Sequence, residues 1–148
     1  MQRSWAALGL VLALSAIMPK VSGAQDTRKK GQGVSLGQNY PNPFNPETRF
    51  NFALGDPPTC TEPGKQYRVT VKIYNVLAQL VAIPVLQGGS GGVAGGQPLD
   101  NVSLTCGEYV AYWDGKVRNT GREAASGVYL YRIEANGVIV TNKMVSVK

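Results

Sequence analysis

Apolar and polar residues alternate most cleanly over Arg68-Val69-Thr70-Val71-Lys72-Ile73-Tyr74, turning Val69, Val71 and Ile73 to one side and Arg68, Thr70 and Lys72 to the other. A period of two marks a half-buried antiparallel strand. Arg49 to Leu54 repeats the pattern with Phe50, Phe52 and Leu54 on one face. Glu108 to Trp113 repeats it with Tyr109, Ala111 and Trp113 inward and Tyr112 exposed. Leu80 to Leu86 is a more continuous apolar run broken by Pro84, which suits an edge or a bulge because proline has no N–H to give a sheet. Asn75 to Gln79 reads as the turn before that run. Val128 to Ala135 is a further strand, and Asn136-Gly137, suited to a type I′ turn, returns the chain along Val138 to Val147. In this last strand the apolar phase slips between Val140 and Val145, which predicts a bulge.

Between the strands lie turn formers. Gln87 to Pro98 holds six glycines, offers few side chains to a core, and reads as a flexible connection before a short strand at Leu99–Leu104. Residues 25–35 are polar with two glycines and read as a linker or frayed terminus. In Asn39-Tyr40-Pro41-Asn42-Pro43-Phe44-Asn45-Pro46 the three prolines forbid a helix and disfavour a central strand, leaving polyproline II or turn. A three-residue repeat places Asn39, Asn42 and Asn45 along one edge, with Tyr40 and Phe44 packing back onto the domain. About seven short strands with no helix among them predict an all-β, antiparallel β-sandwich. It is expected to be immunoglobulin-like in architecture only, because the Cys…Trp…Cys spacing of true immunoglobulin domains is absent.

The start of the chain sets its compartment. Arg3 precedes an uncharged apolar run from Trp5 to Met18, Pro19 breaks any helix, and Ser22-Gly23-Ala24 offers small residues for cleavage. That is the pattern of a Sec-type signal peptide over residues 1–24, cut between Ala24 and Gln25. A run of this length spans about 21 Å as a helix against roughly 30 Å of hydrocarbon, so no stable membrane span is expected after cleavage. The formal charge of +6, less Arg3 and Lys20, leaves +4, and the one basic cluster, Arg28-Lys29-Lys30, lies in the expected linker. Nucleic-acid binding needs a basic stripe to collect phosphates, so it is not expected.

Two cysteines, Cys60 and Cys106, follow the leader into an oxidising compartment and allow one pairing, read as a structural disulfide. With no histidine in the chain, neither a Ser-His-Asp nor a Cys-His arrangement can be built. Glu108, Glu123 and Asp114 suggest no carboxylate pair, and Gly88-Gly89-Ser90-Gly91-Gly92 lacks the lysine of a phosphate loop. No enzymatic activity, cofactor or metal is expected. Tyr109, Tyr112, Trp113, Tyr129 and Tyr131 could form a sugar-binding platform where rings face water, or fill the core.

Five blocks carry a family likeness, in order, over residues 36–148. Leu36-Gly37-Gln38 followed by Asn39 to Pro46, Glu47 and Thr48 resembles the opening signature of type IX (Por) secretion sorting domains, relatives of the immunoglobulin-like domain of the flagellar hook-capping protein. Lys72 to Gln79, Trp113-Asp114-Gly115, Ala125 to Ile133 and Asn142 to Lys148 resemble the later blocks. Ala78 departs from the pattern, standing where the family usually has glycine, so a left-handed turn there would be strained. The segment between Leu86 and Glu108 is longer than usual, and the cysteine pair is extra. The resemblance implies Sec export, transient residence in the periplasm, recognition by the type IX translocon, and release or attachment at the outer surface. Recognition would use the terminal strand with Lys143, Met144, Val145, Val147 and Lys148, the two lysines outward. A free-standing adhesin, assembly cap or binder of cell-surface polysaccharide is the alternative.

Overall fold

A computed structural model describes residues 29–89 and 94–148. The expected leader, its Ala24–Gln25 junction and residues 90–93 of the glycine-rich segment lie outside the described residues. Among the described residues every regular element is a strand: β1 (Lys29–Gly31), β2 (Val34–Leu36), β3 (Thr48–Leu54), β4 (Gln66–Asn75), β5 (Leu80–Ala82), β6 (Val85–Leu86), β7 (Val102–Thr105), β8 (Gly107–Trp113), β9 (Gly127–Ala135) and β10 (Val138–Ser146).

These strands form two antiparallel five-stranded sheets. Sheet A has the order β1-β2-β3-β8-β6; sheet B has β10-β9-β4-β5, with β7 also paired to β4. The alternating segments become the centres of the sheets. Val69, Val71 and Ile73 of β4 are fully buried, as are Tyr131 and Ile133 of β9, and from sheet A they meet Phe50, Phe52, Tyr109 and Ala111. Aromatic contacts join the layers: Phe50 of β3 lies 4.4 Å from Tyr131 of β9, and Trp113 of β8 lies 5.6 Å, edge-on, from Tyr129 of β9. The two sheets thus share one apolar core, the condition that makes a β-sandwich hold together.

Several expectations are corrected. Of the expected linker over residues 25–35, residues 25–28 lie outside the described residues and residues 29–35 belong to the sheet: β1 and β2 form a hairpin, and β2 extends sheet A along β3 with Val34 and Leu36 buried. Strands of three residues leave no periodicity to read. The apolar run around Pro84 does lie at an edge, but as two edge strands instead of one, with a register shift where Leu80 to Ala82 pairs with Ile73 and Tyr74. Pro84 is the crossing point, where β5 of sheet B hands the chain to β6 of sheet A. β10 carries no bulge, since its register with β9 is unbroken from Val138↔Ala135 to Ser146↔Gly127. The phase slip arises because polar Asn142 and Ser146 take core positions while Val145 points outward, half-buried.

Turn chemistry follows the sequence. Asn136 and Gly137 both have positive φ, 49° and 81°, as a type I′ hairpin requires. Asn136 also fastens the hairpin to β4, its Oδ1 accepting from Arg68 N at 2.9 Å and its Nδ2 donating to Gln66 O at 3.1 Å. Ala78 is held at φ 59°, the left-handed position that glycine would fill without strain.

Among the described glycines, Gly115 makes the closest approach to other backbone. It has φ 80°, and a Cβ there would overlap the carbonyl oxygen of Pro46. Gly115→Ala is therefore expected to cost about 2–4 kcal/mol, overlap added to left-handed strain. Gly121, with φ 67° and nothing near its Cβ position, supplies the control. Gly121→Ala should cost only about 1–2 kcal/mol. Equal urea midpoints for the two variants would refute the overlap.

Candidate functional site

The proline-rich signature and the end of the terminal strand, about a hundred residues apart in sequence, build one surface at one end of the sandwich. The signature is anchored first on sheet A. Tyr40 and Arg49 exchange backbone hydrogen bonds of 2.7 and 3.0 Å, at the start of β3. Asn39 is buried and donates its Nδ2 to Pro41 O at 3.0 Å and to Thr48 Oγ1 at 3.1 Å. Thr48, also buried, donates in turn to Pro41 O. The loop is thus stitched by side chains where prolines offer no N–H.

Its second half crosses to sheet B. Phe44 pairs in parallel with Ser146, its N–H donating to Val145 O at 2.9 Å and its carbonyl accepting from Val147 N at 3.0 Å. Its ring is 1% exposed and sits 5.4 Å from Trp113. Asn42 Oδ1 accepts from Val145 N at 3.1 Å, and Gln38 Nε2 donates to Lys143 O at 3.1 Å. Ser126 Oγ accepts from Lys148 N. The outer edge of β10 from Lys143 onward is therefore occupied by the chain's own signature. Among the described residues, only the outward backbone groups of Ile139 and Thr141 remain free on this edge.

The structure divides the signature's side chains. Asn39 and Phe44 are core, whereas Tyr40 is 77% exposed, contrary to the expectation that it packs back, and Asn42 and Asn45 face water. The three asparagines do not line one edge. Of the terminal strand, Met144 is fully buried, and Lys143, Val147 and Lys148 are exposed. Under this junction lies a polar layer. Tyr131, directly opposite Asn142 in the β9–β10 register, donates its hydroxyl to Gly37 O at 2.7 Å. Burial pushes the Tyr131 phenol well above its usual range, with the Asn39 backbone amide and the Asn142 side chain pulling the other way. Asn142 Nδ2 lies buried beside that hydroxyl without closing a hydrogen bond.

Cys60 and Cys106 are joined, Cα to Cα 5.8 Å, at the opposite end of the sandwich, where Leu54 pairs with Gly107. The bond ties the loop after β3 to the β7–β8 corner. Of the five rings considered as a sugar platform, Tyr109, Trp113, Tyr129 and Tyr131 are buried. Tyr112 is half-buried rather than exposed, and its hydroxyl donates to Glu47 Oε2, which holds the phenol above its ordinary range. Among the described residues no three His, Cys, Asp or Glu side chains converge to hold a metal ion.

The arrangement defines an all-β, sandwich-like protein with one disulfide and a composite surface made from its proline-rich loop and its last strand. Compared with protein-family models, curated proteins and solved structures, the chain matches none. Sequence reasoning found both halves of this surface but missed their contact. The available signal was polar Asn142 and Ser146 in core phase, which implies a covering partner.

Proposed function

We propose that the chain is a non-catalytic, exported module of immunoglobulin-like type, serving as a type IX secretion sorting and surface-attachment domain. One observation carries this reading: the first and last of the five family-like blocks meet in a single surface, Phe44 and Asn42 on Val145 and Val147. A recognition element split between chain ends is readable only once the domain has folded, which suits cargo that folds in the periplasm before outer-membrane passage.

The same contact changes how recognition would work. Strand addition along the terminal half of β10 is blocked by the signature, so a translocon component would read the outward side chains of Lys143 and Lys148 and the exposed rim of the signature. Backbone pairing would be confined to Ile139 and Thr141.

The test expresses the full chain in a bacterium with a working type IX system and in its translocon-null counterpart. Extracellular protein is expected in the first and periplasmic retention in the second. Lys143→Ala with Lys148→Ala should lower extracellular yield several-fold without changing the thermal midpoint. These substitutions are preferable to removing residues 142–148, which would also strip Met144 from the core. Equal extracellular yield in the two strains would sink the proposal.

A further inference from the structure

Six large apolar side chains are strongly exposed among the described residues, and the register gathers five of them at the signature end: Tyr40, Val76, Leu77, Val128 and Val147. Asn75 pairs with Tyr129, Val128 with Val145, and Val147 donates to Phe44, so these residues share one rim; only Ile139 lies at the far end. Val76 and Leu77, 70% and 74% exposed, form its tip. Their turn cannot fold them under. Asn75 Oδ1 accepts from Leu77 N and Gln79 N, both at 3.0 Å, and Asn75 Nδ2 donates to Gln79 Oε1. Backbone bonds join Ala78 N to Asn75 O and Asn75 N to Gln79 O. A rigid turn keeps two adjacent apolar side chains in water.

The outer face of sheet B beside this tip is cationic. Lys72 and Arg132 stand directly opposite one another across β4 and β9, a like-charged pair that costs stability unless an anion sits between them. Arg132 stacks on Tyr74 at 5.0 Å and donates to its hydroxyl at 2.8 Å, which aims the guanidinium along the face. Lys143 stands one row nearer the tip, opposite Leu130. Tyr74, Ala78, Leu130, Arg132 and Thr141 line a shallow hollow between these charges and the tip. Glu134 lies on this face toward the far end, opposite Thr70 and Ile139, and exposed Asp100 sits beyond β4 between Leu99, which accepts from Val71 N, and Asn101, which donates to Thr70 Oγ1. Glu47 and Asp114 flank β3 and β8 of sheet A, and Glu123 bridges Lys116 in a loop that reaches β5 through Arg118 N and Val81 O.

We propose that this end, approached from the outer face of sheet B, docks on a bilayer with anionic phosphate headgroups. Val76 and Leu77 enter the interface, and Lys72, Arg132 and Lys143 take the headgroup phosphates. The charge complementarity selects an anionic surface, and the convex tip selects a bilayer over a protein. A protein partner must supply a matching cavity, whereas lipid closes around a knob. The inference does not rest on the type IX sorting reading, because binding is measured without any translocon.

Protein recovered from the periplasm, its mass checked for loss of the leader, is sedimented with vesicles of phosphatidylcholine alone or mixed with phosphatidylglycerol. Co-sedimentation is expected with the mixed vesicles and should weaken with added salt. Lys72→Gln and Lys143→Gln should each weaken partition about fivefold. Val76→Ser with Leu77→Ser should weaken it about tenfold or more. Ile139→Ser, at the far end, should leave it unchanged. Equal binding to both vesicle types, equal binding by the Val76/Leu77 variant, or no binding would overturn the proposal. So would release by soluble glycerol phosphate, which would mark a phosphate site instead of a membrane dock.

Discussion

Phe44→Ala is expected to remove about 3–5 kcal/mol of stability, the cost of emptying a buried aromatic site. A domain of this size has only about 5–15 kcal/mol in total. The ring is 1% exposed and packs on Trp113, which in turn touches Tyr129, so the cavity opens between the sheets and cannot collapse from one side. The loss should appear as a lower urea midpoint at unchanged slope, since the same surface is exposed on unfolding. A second readout is local. Phe44 positions the hydrogen bonds to Val145 O and from Val147 N, so the Val147 amide should lose its protection from hydrogen exchange. Tyr40→Ala, four residues earlier, should shift stability by less than about 0.5 kcal/mol, because that ring stands in water. Comparable losses from both substitutions would mean that the signature is not divided into a core half and a surface half.

That division explains what could and could not be read from the sequence. Alternation located β3, β4, β8 and β9 because each is central, with one face buried along its length, and a half-buried strand prints its environment at period two. It failed in β10, where the buried face has to serve two neighbours. Met144 and Val140 meet apolar core, but Asn142 lies opposite Tyr131 and Ser146 lies beside Phe44, at the layer where the signature docks. Polarity there belongs to the junction and reads locally as a slipped phase. The β1–β2 hairpin failed for a different reason. Three-residue strands hold too few positions for a period, and Val34 and Leu36 are recognisable as core only through their pairing with Leu54 and Phe52. Pro84 gave a correct signal with too narrow a meaning. A proline in an apolar run ends a ladder, and here the chain changes sheets at that point. The turns were legible because their demands are local: Asn136-Gly137 and Ala78 adopt the positive φ their positions require whatever surrounds them. The composite surface was the least legible part, since no local pattern encodes contact between Phe44 and Val145.

Replacing both cysteines, Cys60→Ser with Cys106→Ser, is expected to destabilise the domain by up to about 4 kcal/mol, the chain-entropy cost of releasing a loop of this size. The two residues are separated by 46 positions, and the segment between them includes β4, β5, β6 and β7 together with the glycine-rich connection. Much of that segment is long and conformationally free when unfolded, so the cross-link acts chiefly on the denatured ensemble. The native fold should survive its loss, because β4 is held by β9, β7 and β5, and β8 by β3 and β6. One native contact will also respond. Gly55 lies so close to Cys106 that an added Cβ would come within 2.9 Å of the sulfur, and released thiols will loosen that corner. The expected pattern is a lower urea midpoint for the double variant, matched by the parent protein under reductant, with far-ultraviolet circular dichroism unchanged in both. The proposed vesicle binding and export should also persist below the new midpoint, because the bond lies at the end opposite the signature, Val76 and Lys143. If instead the reduced protein kept the midpoint of the oxidised one, the loop would already be constrained in the unfolded chain and the bond would contribute nothing to the fold.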